Sequence, residues 1–319
     1  MREVWLPVAL EHQSLHSGAG LSGTADIAAI LVNWNTRDLL RACLHSLTNE
    51  DHRRLRRVIV VDNASTDGSA EMVCSEFPSV ELLTPGKNTG YAAGNNLCLA
   101  QVTEPYALLL NPDTVIEEGA VDTLAAFMDS HPTCAAVAPQ LLSPDGSVQA
   151  SCRGFPTPLA LLAEFTGLSR AARLFPTMGT YRIAGWNHDT EREVDQPMGS
   201  ALLVRMAAVD QVGRMDEQFP LYFNEVDWLY RMKQAGWKIW FTPAAQVLHH
   251  HGASTRQIWV RAAWLSHRGL HAFYQKHFRG SIHPILYVLL VGLIYIRALV
   301  VMSSRILKGL TATIRRGTP

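Results

Sequence analysis

The sequence predicts an α/β protein: a mostly parallel, Rossmann-like sheet flanked by helices. Three observations predict it. Short apolar runs of β-forming residues alternate with helical segments through the first 115 residues, and that rhythm demands a parallel sheet covered by helices. Two of the runs end abruptly in polar residues, Asp62-Asn63 and Asn111-Pro112-Asp113, and open α/β sheets hold their ligands outside the carboxyl ends of such strands. The chain has 319 residues, 48% of them hydrophobic, enough for one large domain or a domain plus an appendage.

The elements follow in order. Residues 26–34 (DIAAILVNW) read as the first strand, and residues 36–50 as an amphipathic helix with Leu39, Leu40, Cys43, Leu44 and Leu47 on one face. Residues 57–62 are the second strand. Ser65, Thr66 and Asp67, all good N-cap types, lead into a helix over residues 67–77. A short strand at 80–83, a helix at 89–102 and a strand at 107–110 complete the regular part, and Pro112 stops the last run. A helix at 117–131 and a strand at 135–142 come next. Residues 143–195 read as irregular, broken by Pro144, Gly146, Pro156, Pro158 and Pro176, and long loops of this kind are usually functional. Beyond them lie a strand at 200–205, a helix at 224–236 ending in glycine, a strand at 238–248 interrupted by Pro243, and a long helix at 258–278.

Charge and termini narrow the function. Lys plus Arg equals Asp plus Glu, 28 each, so the basic excess of a nucleic-acid binder is missing and no nucleic acid is expected as a partner. The five cysteines are scattered and odd in number, as expected of buried, reduced thiols in a cytoplasmic protein. Residues 1–24 read as a loosely ordered leader. Their apolar run at 4–10 is too short and too interrupted, by Pro7, for a signal peptide. Near the other end, residues 285–296 are uninterrupted apolar sequence, followed by Arg297 and a further apolar stretch to Met302. Basic residues flank both sides: Arg268, Lys276 and Arg279 before, Arg305, Lys308, Arg315 and Arg316 after. A span would put one basic cluster on the wrong side. The expectation is a helix lying peripherally in the cytoplasmic membrane interface, with a buried or dimer helix and a true span as the alternatives.

Several residues are suited to chemistry. Asp62, after a buried strand, can accept hydrogen bonds from a base or ribose, with Asn33, Asn35 and Thr36 beside it; the same segment is also good turn sequence. The run from Gly86 to Asn96 puts small residues at a helix start, where backbone can approach a ligand and favour anionic oxygens. It is neither a GxGxxG fingerprint nor a P-loop. Asp113 is the candidate ligand for a divalent cation, with Asn111 where a second acid would strengthen the site. Glu225 and Asp227, two apart at a helix start, point in different directions, so one can face a substrate while the other caps or braces. A capping box between Asn224 and Asp227 is the plain alternative. His249, His250 and His251, next to Gly252, suit a phosphate or metal role.

In their order and spacing, the segments AAILVNWNT, VIVVDNASTDGS, GKNTGYAAGNN, LLLNPDT, MGSALLVRM, VGRMDEQFPLYFNEVDW, AGW and VLHHHGAS resemble the family 2 glycosyltransferases over roughly residues 26–254. The bacterial rhamnosyltransferase-like branch is the strongest match. The resemblance implies a GT-A fold over residues 25–255, with a nucleotide-sugar half at 25–115 and an acceptor half at 116–255; residues 256–319, with their apolar run and basic flanks, are set apart as a C-terminal helical, membrane-associated segment. It implies inverting transfer of one sugar from a nucleotide-diphosphate sugar, such as dTDP-L-rhamnose, to a glycan or lipid-linked glycan in cell-surface polysaccharide synthesis. Carried over residue by residue, Asp62 binds the base, and Asn33, Asn35, Asn88, Gly90, Asn95 and Asn111 complete the nucleotide-sugar site. Asp113 and His249 hold Mg²⁺ or Mn²⁺, Glu225 is the catalytic base with Asp227 as its companion acid, and Gly199, Ser200 and Trp228 belong to the acceptor region. The family commonly reads Glu-Asp-x-Asp where this chain has Asn224-Glu225-Val226-Asp227. The Gln-x-x-Arg-Trp motif of processive synthases is not matched at Gln257 and Arg261. A sugar nucleotidyltransferase and an inactive nucleotide-sugar-binding scaffold remain as alternatives.

Overall fold

A computed structural model describes residues 26–48, 52–166, 181, 183, 185–219, 221–250 and 259–316. The expected leader, His251 and Gln257 lie outside them. The regular part begins β1 (Ile27–Asn33), α1 (Arg37–Thr48), β2 (Leu55–Asp62), α2 (Ser69–Glu76), β3 (Glu81–Leu83), α3 (Tyr91–Leu99) and β4 (Tyr106–Leu110). β1 pairs in parallel with both β2 and β4, and β2 with β3. All seven residues of β1 are buried, which is why the strand is a continuous apolar run and not an alternating one. Its side chains divide by period two. Ile27, Ala29 and Leu31 join Leu40, Cys43, Leu44 and Leu47 of α1, while Ile30 and Val32 join Ala92, Cys98 and Leu99 of α3. Gly94 permits the second contact, because a Cβ there would sit 2.7 Å from Cγ1 of Val32.

The second half departs from the expected rhythm. Its elements are β5 (Thr114–Ile116), α4 (Ala120–Ser130), β6 (Cys134–Leu142), β7 (Cys152–Arg153), α5 (Pro158–Thr166), β8 (Arg192–Glu193), β9 (Gln196–Pro197), β10 (Ala201–Arg205), α6 (Met206–Val212), α7 (Asn224–Gln234) and β11 (Lys238–His249). The main sheet runs β3-β2-β1-β4-β10-β6-β11-β5, with β8 on β11, and a small second sheet pairs β7 with β9. β10 is antiparallel to both its neighbours, β4 and β6, so the sheet is mixed where the sequence suggested mostly parallel. β11 is parallel to β6 but antiparallel to β5. Its register with β6 shifts between Thr242 and Gln246, at Pro243, which has no N–H to give the ladder. β5 was not foreseen. It is three residues long and hidden behind the turn at Pro112.

Two helices close the described chain, α8 (Trp259–His277) and α9 (Pro284–Arg316). α8 is not an appendage. Leu270, Phe273 and Tyr274 belong to the same buried cluster as Ile30, Trp228 and Phe241, and the Tyr274 hydroxyl donates to the Pro156 carbonyl at 2.7 Å. α9 packs one side on α8, burying Ile294 and Ala298 completely, and the Tyr295 hydroxyl meets His271 Nδ1 at 2.9 Å. Its other side leaves Ile285, Leu286, Val288, Leu289, Ile296, Leu299 and Val300 exposed. The stretch Pro284–Arg305 is long and apolar enough to cross a membrane.

Four cysteines, Cys43, Cys98, Cys134 and Cys152, are buried and unpaired, as expected, and Cys74 is exposed. Burial pushes the Cys98 thiol up to about 12.

Candidate functional site

The ends of β1 and β2 stand side by side, Asn33 in register with Asp62. Asn33 Nδ2 donates to Asp62 Oδ1 at 2.9 Å and to Ser65 Oγ at 3.1 Å, and its Oδ1 accepts from Thr36 Oγ1 at 2.6 Å. The Ser65 backbone N–H donates to Asp62 Oδ2 at 2.9 Å, and that of Asn35 to Ser65 Oγ at 2.9 Å. Ser65 is therefore not a helix cap. It cross-braces two strand ends, and the turn and binding readings of Asp62 become one: the turn holds the carboxylate still. Asn63 reaches the next loop, donating to the Gly90 carbonyl and accepting from the Thr89 N–H. Asn88 Oδ1 accepts from the Gly90 N–H, just before α3. Gly90 has φ +88°, a conformation glycine adopts without steric cost. Asn95 is buried and donates to the Tyr91 carbonyl one turn back.

Beside this cluster lies a cavity of about 450 Å³. Asn111, Asp113, Gly199, Ser200, Glu225 and His249 all line it, although they come from four separate stretches of chain. The exit of β4 is pinned to the start of β10: the Asn111 N–H donates to the Ser200 carbonyl at 2.8 Å and Asn111 Nδ2 approaches Ser200 Oγ at 3.4 Å. β5 pairs Thr114 with His249, and the His250 N–H donates to the Asp113 carbonyl at 2.9 Å. His249 Nε2 thereby comes within 3.6 Å of Asp113 Oδ1. Its Nδ1 meets Gln149 Oε1 at 2.9 Å, and Gln149 Nε2 donates to the His249 carbonyl at 2.9 Å. An Nδ1–H given to Gln149 leaves the Nε2 lone pair facing Asp113, the arrangement that suits a metal-binding imidazole. Among the described residues, no cluster of three or more His, Cys, Asp or Glu is built to cage a cation. A carboxylate and an imidazole fit a divalent ion that takes its remaining ligands from substrate oxygens and water.

Across the cavity, α7 starts at Asn224, entered through Phe223 at φ +69°. Asn224 Nδ2 donates to the Leu221 carbonyl, and its Oδ1 accepts from the Glu225 N–H at 2.6 Å. Glu225 extends into the cavity against Gly199. Burial raises its pKa to about 7, which suits a carboxylate to accept a proton near neutral pH.

Asp227 points elsewhere. Its carboxylate has no exposure and accepts from Arg231 Nε at 2.8 Å, Lys276 Nζ at 2.8 Å and His277 Nε2 at 2.7 Å. Burial works against its charge, but the hydrogen bonds from His277, Lys276 and Arg231 outweigh burial and hold its pKa below the ordinary value. The capping box does not form, since the Asp227 side chain is engaged with α8 and its N–H goes to the Phe223 carbonyl. Trp228 is likewise in the core and not at the cavity, its indole N–H donating to the Gly213 carbonyl at 2.8 Å.

The expected site residues therefore fall into three groups. Six share the cavity wall. Asn33, Asn35, Asp62, Asn88, Gly90 and Asn95 form the adjoining strand-end cluster, linked to the cavity through Val32 and Tyr91. Asp227 and Trp228 project from the side of α7 that faces away from the cavity. Sequence reasoning missed Gln149, Ser151 and Arg153. Ser151 and Arg153 line the cavity and Gln149 holds His249. Their spacing of two, in a segment that pairs as a strand at Cys152–Arg153, was the available signal.

The sequence model for "Glycosyl transferase family 2" matches residues 28–161. An N-acetylglucosaminyl-diphospho-decaprenol L-rhamnosyltransferase of Mycobacterium tuberculosis is 32% identical over 251 residues, covering 72% of this chain and 77% of that protein. The rhamnosyltransferase WbbL of Escherichia coli is 22% identical over 242 residues, covering 73% of this chain and 86% of its own length. Among solved structures, the mannosyltransferase PcManGT from Pyrobaculum calidifontis, in complex with GDP-Man and Mn²⁺, superposes with a TM-score of 0.54 at 16% identity, covering 92% of this chain and 76% of that one.

Proposed function

Because the chain belongs to glycosyl transferase family 2, in its rhamnosyltransferase-like branch, we propose that it moves one sugar from a nucleotide-diphosphate sugar to a hydroxyl of a glycan or lipid-linked glycan, with inversion at the anomeric carbon. dTDP-L-rhamnose is the first donor to test. The mycobacterial relative is an L-rhamnosyltransferase, which supports this donor, and its N-acetylglucosaminyl-diphospho-decaprenol substrate supports a lipid-linked acceptor. The observation that carries the proposal is a single cavity holding both a carboxylate with its pKa near 7 and the Asp113–His249 pair.

In this reading the braced carboxylate of Asp62, with Asn33 and Asn35, holds the base and ribose end. Asn88, Gly90 and Asn95 shape the neighbouring loop and helix start, and Asn111 orients the sugar-bearing end. Asp113 and His249 would hold Mg²⁺ or Mn²⁺, and the ion, when bound, stabilises charge on the departing nucleoside diphosphate. Gln149 fixes the imidazole of His249 for that role. Glu225 takes the proton of the acceptor hydroxyl as its oxygen attacks the face opposite the leaving group, and attack from that face inverts the centre. Gly199 and Ser200 bound the acceptor side.

The exposed side of α9 supports attachment to the cytoplasmic membrane surface. Its opposite side packs on α8, whose Phe273 and Tyr274 lie in the buried hydrophobic core beside the sheet, so a helix spanning the bilayer would drag core residues into lipid. Lying in the interface avoids that.

The test is incubation with radiolabelled nucleotide-sugars and Mn²⁺. Sugar transfer or nucleoside-diphosphate release supports the proposal. Pyrophosphate release would make the protein a nucleotidyltransferase, and binding without turnover would make it a scaffold.

A further inference from the structure

Glu225 and Asp227 are two residues apart on α7, about 200° around a helix of 3.6 residues per turn. One carboxylate faces the cavity while the other faces α8. Asp227 is completely buried, and two of the three side chains on it, Lys276 and His277, come from the last turn of α8. Lys276 also binds Asp216 at 2.6 Å and lies over the Phe219 ring at 5.7 Å. It therefore joins α7 to the loop that precedes it. The third partner, Arg231, ties the same carboxylate to the Arg214 carbonyl at 2.7 Å. Tyr230 of α7 packs against Phe273 and His277, with ring centroids 5.4 and 4.6 Å apart.

A second contact reaches the helix entry. Gly269 of α8 lies so close to Tyr222 and Phe223 that a Cβ there would come within 3.0 Å of the Tyr222 carbonyl and of Phe223 Cδ2. Phe223 holds its left-handed φ of +69° at this point, a conformation that neighbouring structure must impose on a bulky residue. Tyr222 lines the cavity.

We propose that α8 is part of the catalytic apparatus: Lys276 and His277 are positioning residues that, through Asp227, fix the rotation of α7 and so the aim of Glu225. The proposal rests on the reading of Glu225 as the base. The lever is short. A carboxylate about 6 Å from the helix axis moves by about 1 Å when the helix rolls through about 10°, and a misplacement of about 1 Å can cost on the order of 10²-fold in rate. Asp227 is the contact that resists such a roll, since its side chain projects from the side opposite Glu225.

The test is a double-mutant cycle on the full-length protein. Lys276→Met and His277→Leu, alone and together, are placed in the parent and in Glu225→Gln. Groups that act as a unit lose their effects non-additively. In the parent, the pair should lower kcat by about 10–100-fold with KM for the donor within about twofold, and Lys276→Arg should restore most of the loss. In Glu225→Gln, the same pair should change kcat by less than about threefold, because its effect passes through a base no longer present. Equal fold-losses in both backgrounds, or a parent kcat unchanged by the pair, overturn the proposal. If the pair does not fold, Gly269→Ala decides by the same comparison, since it disturbs the α7 entry without removing a charge. If Glu225→Gln alone keeps full turnover, it is the base assignment that has failed, and the clamp falls with it.

Discussion

The α-carbon of Gly199 lies directly against the side chain of Glu225: a Cβ added there would sit 3.4 Å from both Cβ and Cγ of the glutamate. That is the limit of ordinary van der Waals contact. The Gly199 carbonyl also accepts from the Tyr91 hydroxyl at 3.1 Å, which holds this backbone against moving away. A graded outcome is expected. Gly199→Ala should lower kcat only a few-fold, and Gly199→Val by about 10–100-fold, with donor affinity retained in both. Equal kcat values for the two variants, measured with both folded, would show that Glu225 tolerates displacement.

The raised pKa of Glu225 gives two signatures of known sign. kcat/KM should rise with pH through about 7, because only the ionised carboxylate accepts a proton. Stability should move the other way. The folded state holds this proton more tightly than the unfolded chain, so the contribution is complete below the ordinary value of 4.5 and is lost as pH rises to about 7. Glu225→Gln should therefore lower turnover by roughly 10²–10⁴-fold, yet raise Tm relative to the parent at pH 8 and not at pH 4. A Tm difference independent of pH would contradict the burial of this group.

Gln149→Leu should leave the fold intact and weaken Mn²⁺ binding in the presence of nucleoside diphosphate by about 10–100-fold, as loss of an outer-shell partner to a metal-ligating histidine does. Asp113→Ala should abolish turnover. Calorimetric titration with Mn²⁺ separates the two effects. Undiminished activity in excess EDTA would refute a metal at this pair.

On α9, Leu289→Glu and Val300→Glu alter side chains already exposed, so stability should change little. Binding to vesicles containing anionic lipid should fall sharply, while transfer to a soluble acceptor analogue continues. Unaltered vesicle co-sedimentation would make this face a contact for protein instead of lipid.

The first half of the fold was readable because each strand and helix there carries its own pattern. β1 is buried on both sides and α1 on one, and their sequences say so. The second half was less readable because its pairings are long-range. Nothing local to the segment ALLVR announces that it will run antiparallel between β4 and β6, and a strand as short as Thr114–Ile116 has too few residues to show a period. The site divides in the same way. Asp113, Glu225 and His249 stand at element ends or starts visible in sequence. Gln149 sits in a stretch that looks irregular until His249, 100 residues later, is placed against it. The opposite facing of Glu225 and Asp227 follows from helix geometry, but the partners of Asp227 come from α8, which the sequence set apart as a separate segment.

The hydrogen bond from Asn111 to Ser200 and the pairing of β10 between β4 and β6 have a mechanical consequence. They make one continuous plate of the strands that end at or next to Asn33, Asp62, Asn111 and Ser200. A plate of this kind has no hinge line between the Asn111 and Ser200 sides of the cavity. Movement around the cavity is then left to the surrounding loops, side chains and α7, with the spacing between Asp113 and Ser200 nearly constant. The scattering profile of the protein in solution should then be almost the same with and without nucleoside diphosphate, and turnover should show little of the viscosity dependence expected where large bodies must swing.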